Sequence, residues 1–144
     1  MEVPKNNQAF KALHDEKKLF YKSKHFLLEL YRCDFEKIND ESFLRCTLNN
    51  AAKLANAHVL NLISNKFEPQ GVTAIALLAE SHLSIHTWPE AHYSAVDIFT
   101  CGQNMKPEIS CKYLIQALMA EEHLLRIINR NPPSKVHSQI KTIN

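Results

Sequence analysis

Residues 80–90 read Glu-Ser-His-Leu-Ser-Ile-His-Thr-Trp-Pro-Glu, which sets Ser81 directly behind Glu80 and His86 five residues further on. Cys101 follows twenty residues after Ser81, beside Gly102. A hydroxyl, an imidazole and a thiol in this order admit several chemistries. His82, His86, His92 and Cys101 are zinc-ligand types. On a strand, however, His82 and His86 stand about 13 Å apart, too far to share one ion, and no metal is expected. A serine hydrolase presents its nucleophile on a G-x-S-x-G elbow, which Ser81 lacks. His86 would generate a thiolate at Cys101 if the two side chains met.

A further possibility is that the chain cuts itself between Glu80 and Ser81. The serine hydroxyl attacks the preceding carbonyl and converts the amide into an ester. Loss of the serine α-proton then expels the ester, and the dehydroalanine left behind hydrolyses to a pyruvoyl group. That route needs a base near Ser81, for which His86 is a candidate, and a turn that holds the hydroxyl against the carbonyl. Residue types alone leave this route open. Beside it stands the reading in which Ser81 ends a strand while His86 and Cys101 are hydrogen-bonded or core residues.

The elements that carry these residues follow from hydrophobic spacing. Over 82–87 the alternation puts His82, Ser84 and His86 on one face and Leu83 and Ile85 on the other. Over 93–100 it groups Tyr93, Ala95, Asp97, Phe99 and then Cys101, so that Asp97 needs a partner. Further strands are predicted at 25–31, 58–68, 72–79 and around 123–129, with Pro69-Gln70-Gly71 turning one hairpin. Asp40 caps a helix whose apolar face is Phe43, Leu44, Leu48, Ala51, Ala52 and Leu54. Pro107 opens a second helix, with Ile109, Tyr113, Leu114, Ala117 and Leu118. Hairpin-length connections predict an α+β two-layer sandwich, an antiparallel sheet with two helices packed on one face. Trp88 reads as a corner anchor before Pro89.

Composition narrows the function. The 144 residues, 45% hydrophobic, suffice for one domain with its own core. A net charge of +2 with scattered Lys and Arg argues against nucleic acid. With two glycines, Gly71 and Gly102, the chain has no Gly-rich phosphate cradle. Cys33, Cys46, Cys101 and Cys111 are irregularly spaced, with no apolar leader before them, which fits reduced thiols in the cytoplasm. Cys33, Cys46 and Cys111 are expected buried or half-buried. No run nears the roughly 20 apolar residues of a membrane span. Residues 1–23 read as an N-terminal extension and 131–144, with Pro132-Pro133, as a loose tail around a domain at 24–130.

The run KFEPQGVTAIALLAESHLSIHTWPEAHYSAVDIFTCG, residues 66–102, resembles the signature of the short, pyruvoyl-dependent S-adenosylmethionine decarboxylase proenzymes of bacteria and archaea. The resemblance implies cleavage between Glu80 and Ser81 into a β chain of residues 1–80 and an α chain of residues 81–144, with Ser81 becoming the pyruvoyl cofactor. It further implies that His86 takes the Ser81 α-proton, that Thr73 assists processing where many members have serine, and that Cys101 returns a proton to the substrate carbon. Phe67 corresponds to a ring stacked on adenine and Glu90 to a carboxylate on the ribose hydroxyls. The implied activity joins the ketone to the substrate amine as a Schiff base and releases CO2. Its other product is decarboxylated S-adenosylmethionine, the aminopropyl donor for spermidine. A homodimer of αβ protomers, with sites near its interface, is implied as well. Two other readings remain: decarboxylation of ornithine or arginine by the same ketone, or an unprocessed, inactive partner subunit.

Overall fold

A computed structural model describes residues 23–101 and 104–130. The predicted extension, the tail and Gly102 lie outside the described residues, apart from Ser23. The elements run β1 (Ser23–Tyr31), α1 (Phe35–Ile38), α2 (Glu41–Leu54), β2 (Val59–Lys66), β3 (Val72–Leu78), β4 (Ser81–Trp88), a 3-10 turn (Pro89–Ala91), β5 (Tyr93–Thr100), α3 (Pro107–Ala117) and β6 (Glu122–Arg130). The six strands form one antiparallel sheet in the order β2-β3-β4-β5-β1-β6. This is the predicted α+β sandwich, with the one-turn helix α1 added. A segment of four residues is too short to display helical periodicity, so only its cap marks it: Asp34 accepts a hydrogen bond from the Lys37 amide at 2.9 Å.

Helices α2 and α3 pack on each other and cover one face of the sheet. Asp40 caps α2 through the Phe43 amide at 2.9 Å. The buried stripe of α2 is Leu44, Thr47, Leu48, Ala51 and Ala52, spaced at helical intervals. Small side chains at 51 and 52 let α3 approach, where the Ser110 hydroxyl donates to the Ala51 carbonyl at 2.7 Å. Beneath lie Phe26, Leu28 and Leu30 of β1, Ala74 and Ala76 of β3, Leu83 and Ile85 of β4, and Val96 and Ile98 of β5, all buried. Burial of this apolar layer is the main stabilising contribution. Leu54 and Ile109, predicted on the buried faces, are exposed because each falls outside its helix's stripe. Cys33 and Cys111 are buried, but Cys46 is exposed, since position 46 lies between the buried positions 44 and 47 on the outer side of α2.

The opposite face of the sheet has no helix over it among the described residues. Tyr31, Ile63, Ile75, Leu77, Trp88, Leu124 and Ile128 are exposed there. Strand pairing arranges this face in cross-strand rows. One row holds His25, Phe99, His82 and Leu77; four positions along, another holds Glu29, Ala95, His86 and Thr73.

Candidate active site

At the far end of β4, His86 and Thr73 sit opposite each other in the β3–β4 ladder, and the Thr73 hydroxyl lies 2.9 Å from His86 Nδ1. This bond fixes the ring and leaves Nε2 to act. The next residue anchors the strand from below: the Thr87 hydroxyl, buried, donates to the Ile38 carbonyl at 2.7 Å and accepts from the Val72 amide at 2.9 Å. The hairpin beside it is equally fixed, with the Phe67 amide donating to the Gly71 carbonyl at 2.8 Å and the Gly71 amide donating to Asn39 Oδ1 at 3.0 Å. Gly71 has φ of +98°, and a β-carbon there would stand 3.0 Å from the Thr87 carbonyl oxygen. Glycine is required on both counts.

These elements enclose a cavity of about 340 Å³ lined by Phe67, Thr73, His86, Trp88 and Glu90, with Gln70 and Gly71 at its rim. Phe67 is 49% exposed, so its ring faces the cavity and not the core. The Glu90 carboxylate accepts from Gln70 Nε2 at 3.1 Å. Trp88 is 43% exposed and stacks on Tyr93, with ring centroids 5.2 Å apart. Tyr93 in turn stacks on Tyr31 and donates to Glu29. Desolvation, and after it the Glu29 carboxylate, raise the pKa of Tyr93, so it stays a donor. The wall formed by Trp88 was not foreseen from the sequence. The usable signal was parity: Trp88 stands two residues after His86 and so faces the same way.

The other end of β4 is built differently. Ser81 opens the strand, half-buried and paired with Thr100, and its hydroxyl lies 3.4 Å from His82 Nδ1. Cys101, just beyond β5, has its thiol 3.4 Å from the Ser23 hydroxyl. Nearby, His82 stacks on Phe99 and His25 meets Phe99 edge-on. His25 Nε2 lies 2.9 Å from Asp97 Oδ1, which supplies the partner expected for Asp97. Glu80 ends the tight β3–β4 connection.

The seven sequence-predicted residues therefore fall into two groups. Phe67, Thr73, His86 and Glu90 come together, and Ser81 and Cys101 adjoin at the opposite end with Glu80. Within one chain His86 is not the base beside Ser81: five residues of continuous strand separate them by about 17 Å. The Cys101–His86 dyad likewise does not form, because His86 pairs with Ala95, about 20 Å along β5 from Cys101. His92 Nδ1 is bonded to the Cys33 carbonyl at 2.9 Å, away from the other histidines. Among the described residues no three His, Cys, Asp or Glu side chains are grouped to hold a metal ion.

A two-layer α+β domain with a polar aromatic pocket at one end of a central strand, and a serine and a thiol at the other, defines a small sheet-based enzyme. The chain belongs to the S-adenosylmethionine decarboxylase family, whose sequence model matches residues 24–131. It is 56% identical over 118 residues to the S-adenosylmethionine decarboxylase proenzyme of Prochlorococcus marinus (strain MIT 9313), covering 82% of this chain and 94% of that protein. It is 44% identical to S-adenosylmethionine decarboxylase proenzyme 2 of Bacillus anthracis, over 73% of this chain and 86% of that one. The crystal structure of the adenosylmethionine decarboxylase from Aquifex aeolicus VF5 matches with a TM-score of 0.73 at 34% identity. The match covers 80% of this chain and 95% of that one.

Proposed function

We propose that this chain is a self-cleaving proenzyme that, once processed between Glu80 and Ser81, decarboxylates S-adenosylmethionine. The reading rests above all on the Thr73–His86 pair, which opens onto the cavity between Phe67 and Glu90 in a chain of this family. Phe67 offers a face to adenine and to a sulfonium charge, with Trp88 as a second aromatic wall. The Glu90 carboxylate, oriented by Gln70, accepts from two ribose hydroxyls.

The position of Ser81 suits a pyruvoyl precursor: it is half-buried, its backbone pairs with Thr100, and it directly follows the tight β3–β4 connection. The Ser81 oxygen attacks the Glu80 carbonyl and the amide C–N bond breaks, leaving an ester and a free amine on residue 81. An imidazole then removes the Ser81 α-proton, and the Cβ–O bond breaks to free the Glu80 carboxylate and leave dehydroalanine. Addition of water with loss of ammonia then leaves the ketone on residue 81. When formed, that group supplies an electron sink for loss of CO2 from an α-amino acid. Cys101 is the proton donor to the carbon that loses CO2.

A homodimer makes this arrangement complete. The exposed apolar face is self-complementary in an isologous pairing. A twofold axis between stacked sheets, crossing β4 near its middle, sets the Ser81 and Cys101 end of one protomer against the partner's pocket. Stacked sheets lie about 10 Å apart, so facing side chains interdigitate where residues 17 Å apart along a strand do not. The imidazole that serves Ser81 is then supplied by the partner.

The domain comprises residues 24–130, cut into a β chain (1–80) and an α chain (81–144). We assign the protein to the cytoplasm, in keeping with four unpaired cysteines; no described helix is long and apolar enough to cross a membrane. Intact-mass measurement of wild type and Ser81→Ala tests the reading. Wild type should give two fragments meeting at residues 80 and 81, with a pyruvoyl end, and the variant one 144-residue chain without decarboxylase activity. Cleavage that survives the substitution would sink the assignment.

A further inference from the structure

We infer that His58 is a positioning residue for self-cleavage, holding Glu80 on the acyl side of the scissile bond. The inference rests on the cleavage reading and extends it to the turn itself. His58 lies in the link from α2 to β2 and makes three hydrogen bonds to the two residues before Ser81. Its carbonyl accepts from the Ala79 amide at 2.9 Å, its amide donates to Glu80 Oε2 at 2.9 Å, and its Nδ1 meets Glu80 Oε1 at 2.7 Å. Both carboxylate oxygens of Glu80 are thereby occupied, and the side chain is 19% exposed although that of His58 is 76% exposed. Burial pushes the Glu80 carboxyl upward, but the two bonds and the charge of His58 outweigh it, so Glu80 stays ionised below the usual carboxylate range.

The same link also bonds to the segment that leads from Cys101 into α3. The Ala55 carbonyl accepts from the Lys106 amide at 2.8 Å, and Asn56 Nδ2 donates to the Asn104 carbonyl at 3.3 Å. Asn56 adopts φ of +62°, which turns the chain sharply after α2 and delivers His58 to the β3–β4 turn. One four-residue link, 55–58, thus ties down the sequence before the scissile bond and the sequence after the thiol.

Intramolecular attack of a hydroxyl on the preceding carbonyl depends on orientation, and a carboxylate clamped from both sides limits rotation at Glu80. It also keeps the Glu80 charge off the hydroxyl and carbonyl that must approach each other. After cleavage Glu80 is a chain terminus, and the clamp has no further part in decarboxylation.

The test follows fragment formation in freshly made wild type, His58→Ala and His58→Asn by intact mass, together with decarboxylase activity per cleaved chain. Loss of the ring should slow cleavage about three- to tenfold, because an exposed but charged hydrogen bond is removed while the backbone bond remains. Asn, which retains a side-chain donor, should recover most of the rate. Activity per cleaved chain and thermal stability should match wild type. Cleavage of His58→Ala at the wild-type rate overturns this inference alone. Absence of fragments from wild type overturns the cleavage reading, and this inference with it.

Discussion

The two ends of β4 differ in how firmly their side chains are held. At the His86 end, Thr73 bonds the imidazole, Thr87 pins the strand to α1, and Gly71 and Asn39 lock the hairpin that carries Phe67 and Gln70. Among the described residues, the hydroxyl and the thiol at the Ser81 end each have a single contact, at 3.4 Å, to His82 and to Ser23. The difference separates two tasks. A pocket that orients a substrate and a base gains from preorganisation. A serine that must leave its ladder geometry to attack its own carbonyl, and a thiol that moves a proton, need freedom at the reacting atom and restraint only on their backbones.

If each end serves the partner's opposite end, the comparison can be broken by mixing damaged chains. Ser81→Ala and His86→Ala homodimers should both be inactive. Coexpressed, they should recover about one quarter of the wild-type number of working sites, since random pairing makes half the dimers mixed and each mixed dimer holds one undamaged site. No recovery, despite mixed dimers demonstrated by mass, would show that each chain works alone.

A smaller effect probes the firm end by itself. Thr73→Val keeps the shape and removes the hydroxyl bonded to His86 Nδ1. Processing should slow about tenfold, the order of one lost hydrogen bond to a reacting group, with fold and dimer retained. An unchanged rate would mean that the ring is oriented by packing against Trp88.

The smallest effect concerns thiol accessibility, the reference against which Cys101 is judged. Alkylation requires thiolate. Cys46, exposed, should label first, and Cys111 last, because burial and then the Glu108 charge push its pKa up to about 11. At pH 8 Cys111 is therefore protonated, and its labelling should accelerate only as pH rises toward that value. Cys33 is also raised by burial and should follow Cys46. Peptide mapping after timed alkylation measures the order.

The central strands and the two main helices were legible because each has one exposed and one buried side, which imposes period 2 or 3.6 on the sequence, whereas the edge strands β2 and β6 have no fully buried residue. The bounds slipped at ends: β1 begins at Ser23 and β2 stops at Lys66, where pairing and not hydrophobicity decides. Phe67 could not be separated from a core aromatic by composition, because a ring lining a cavity and a ring filling a core have the same chemistry. Trp88 was set aside as a corner although its parity with His86 placed it on the open face.

Sequence alone determined the fold class through hydrophobic spacing, and it pointed to Glu80, Ser81, His86, Thr73, Phe67, Glu90 and Cys101 as a set only through the family resemblance of residues 66–102. Which of them meet was decided by tertiary structure. An extended strand carries residues five apart to opposite ends of a sheet, so closeness along the chain at 81 and 86 became distance in space. The ladder did the reverse for Thr73 and His86, thirteen residues apart in sequence and directly bonded across neighbouring strands.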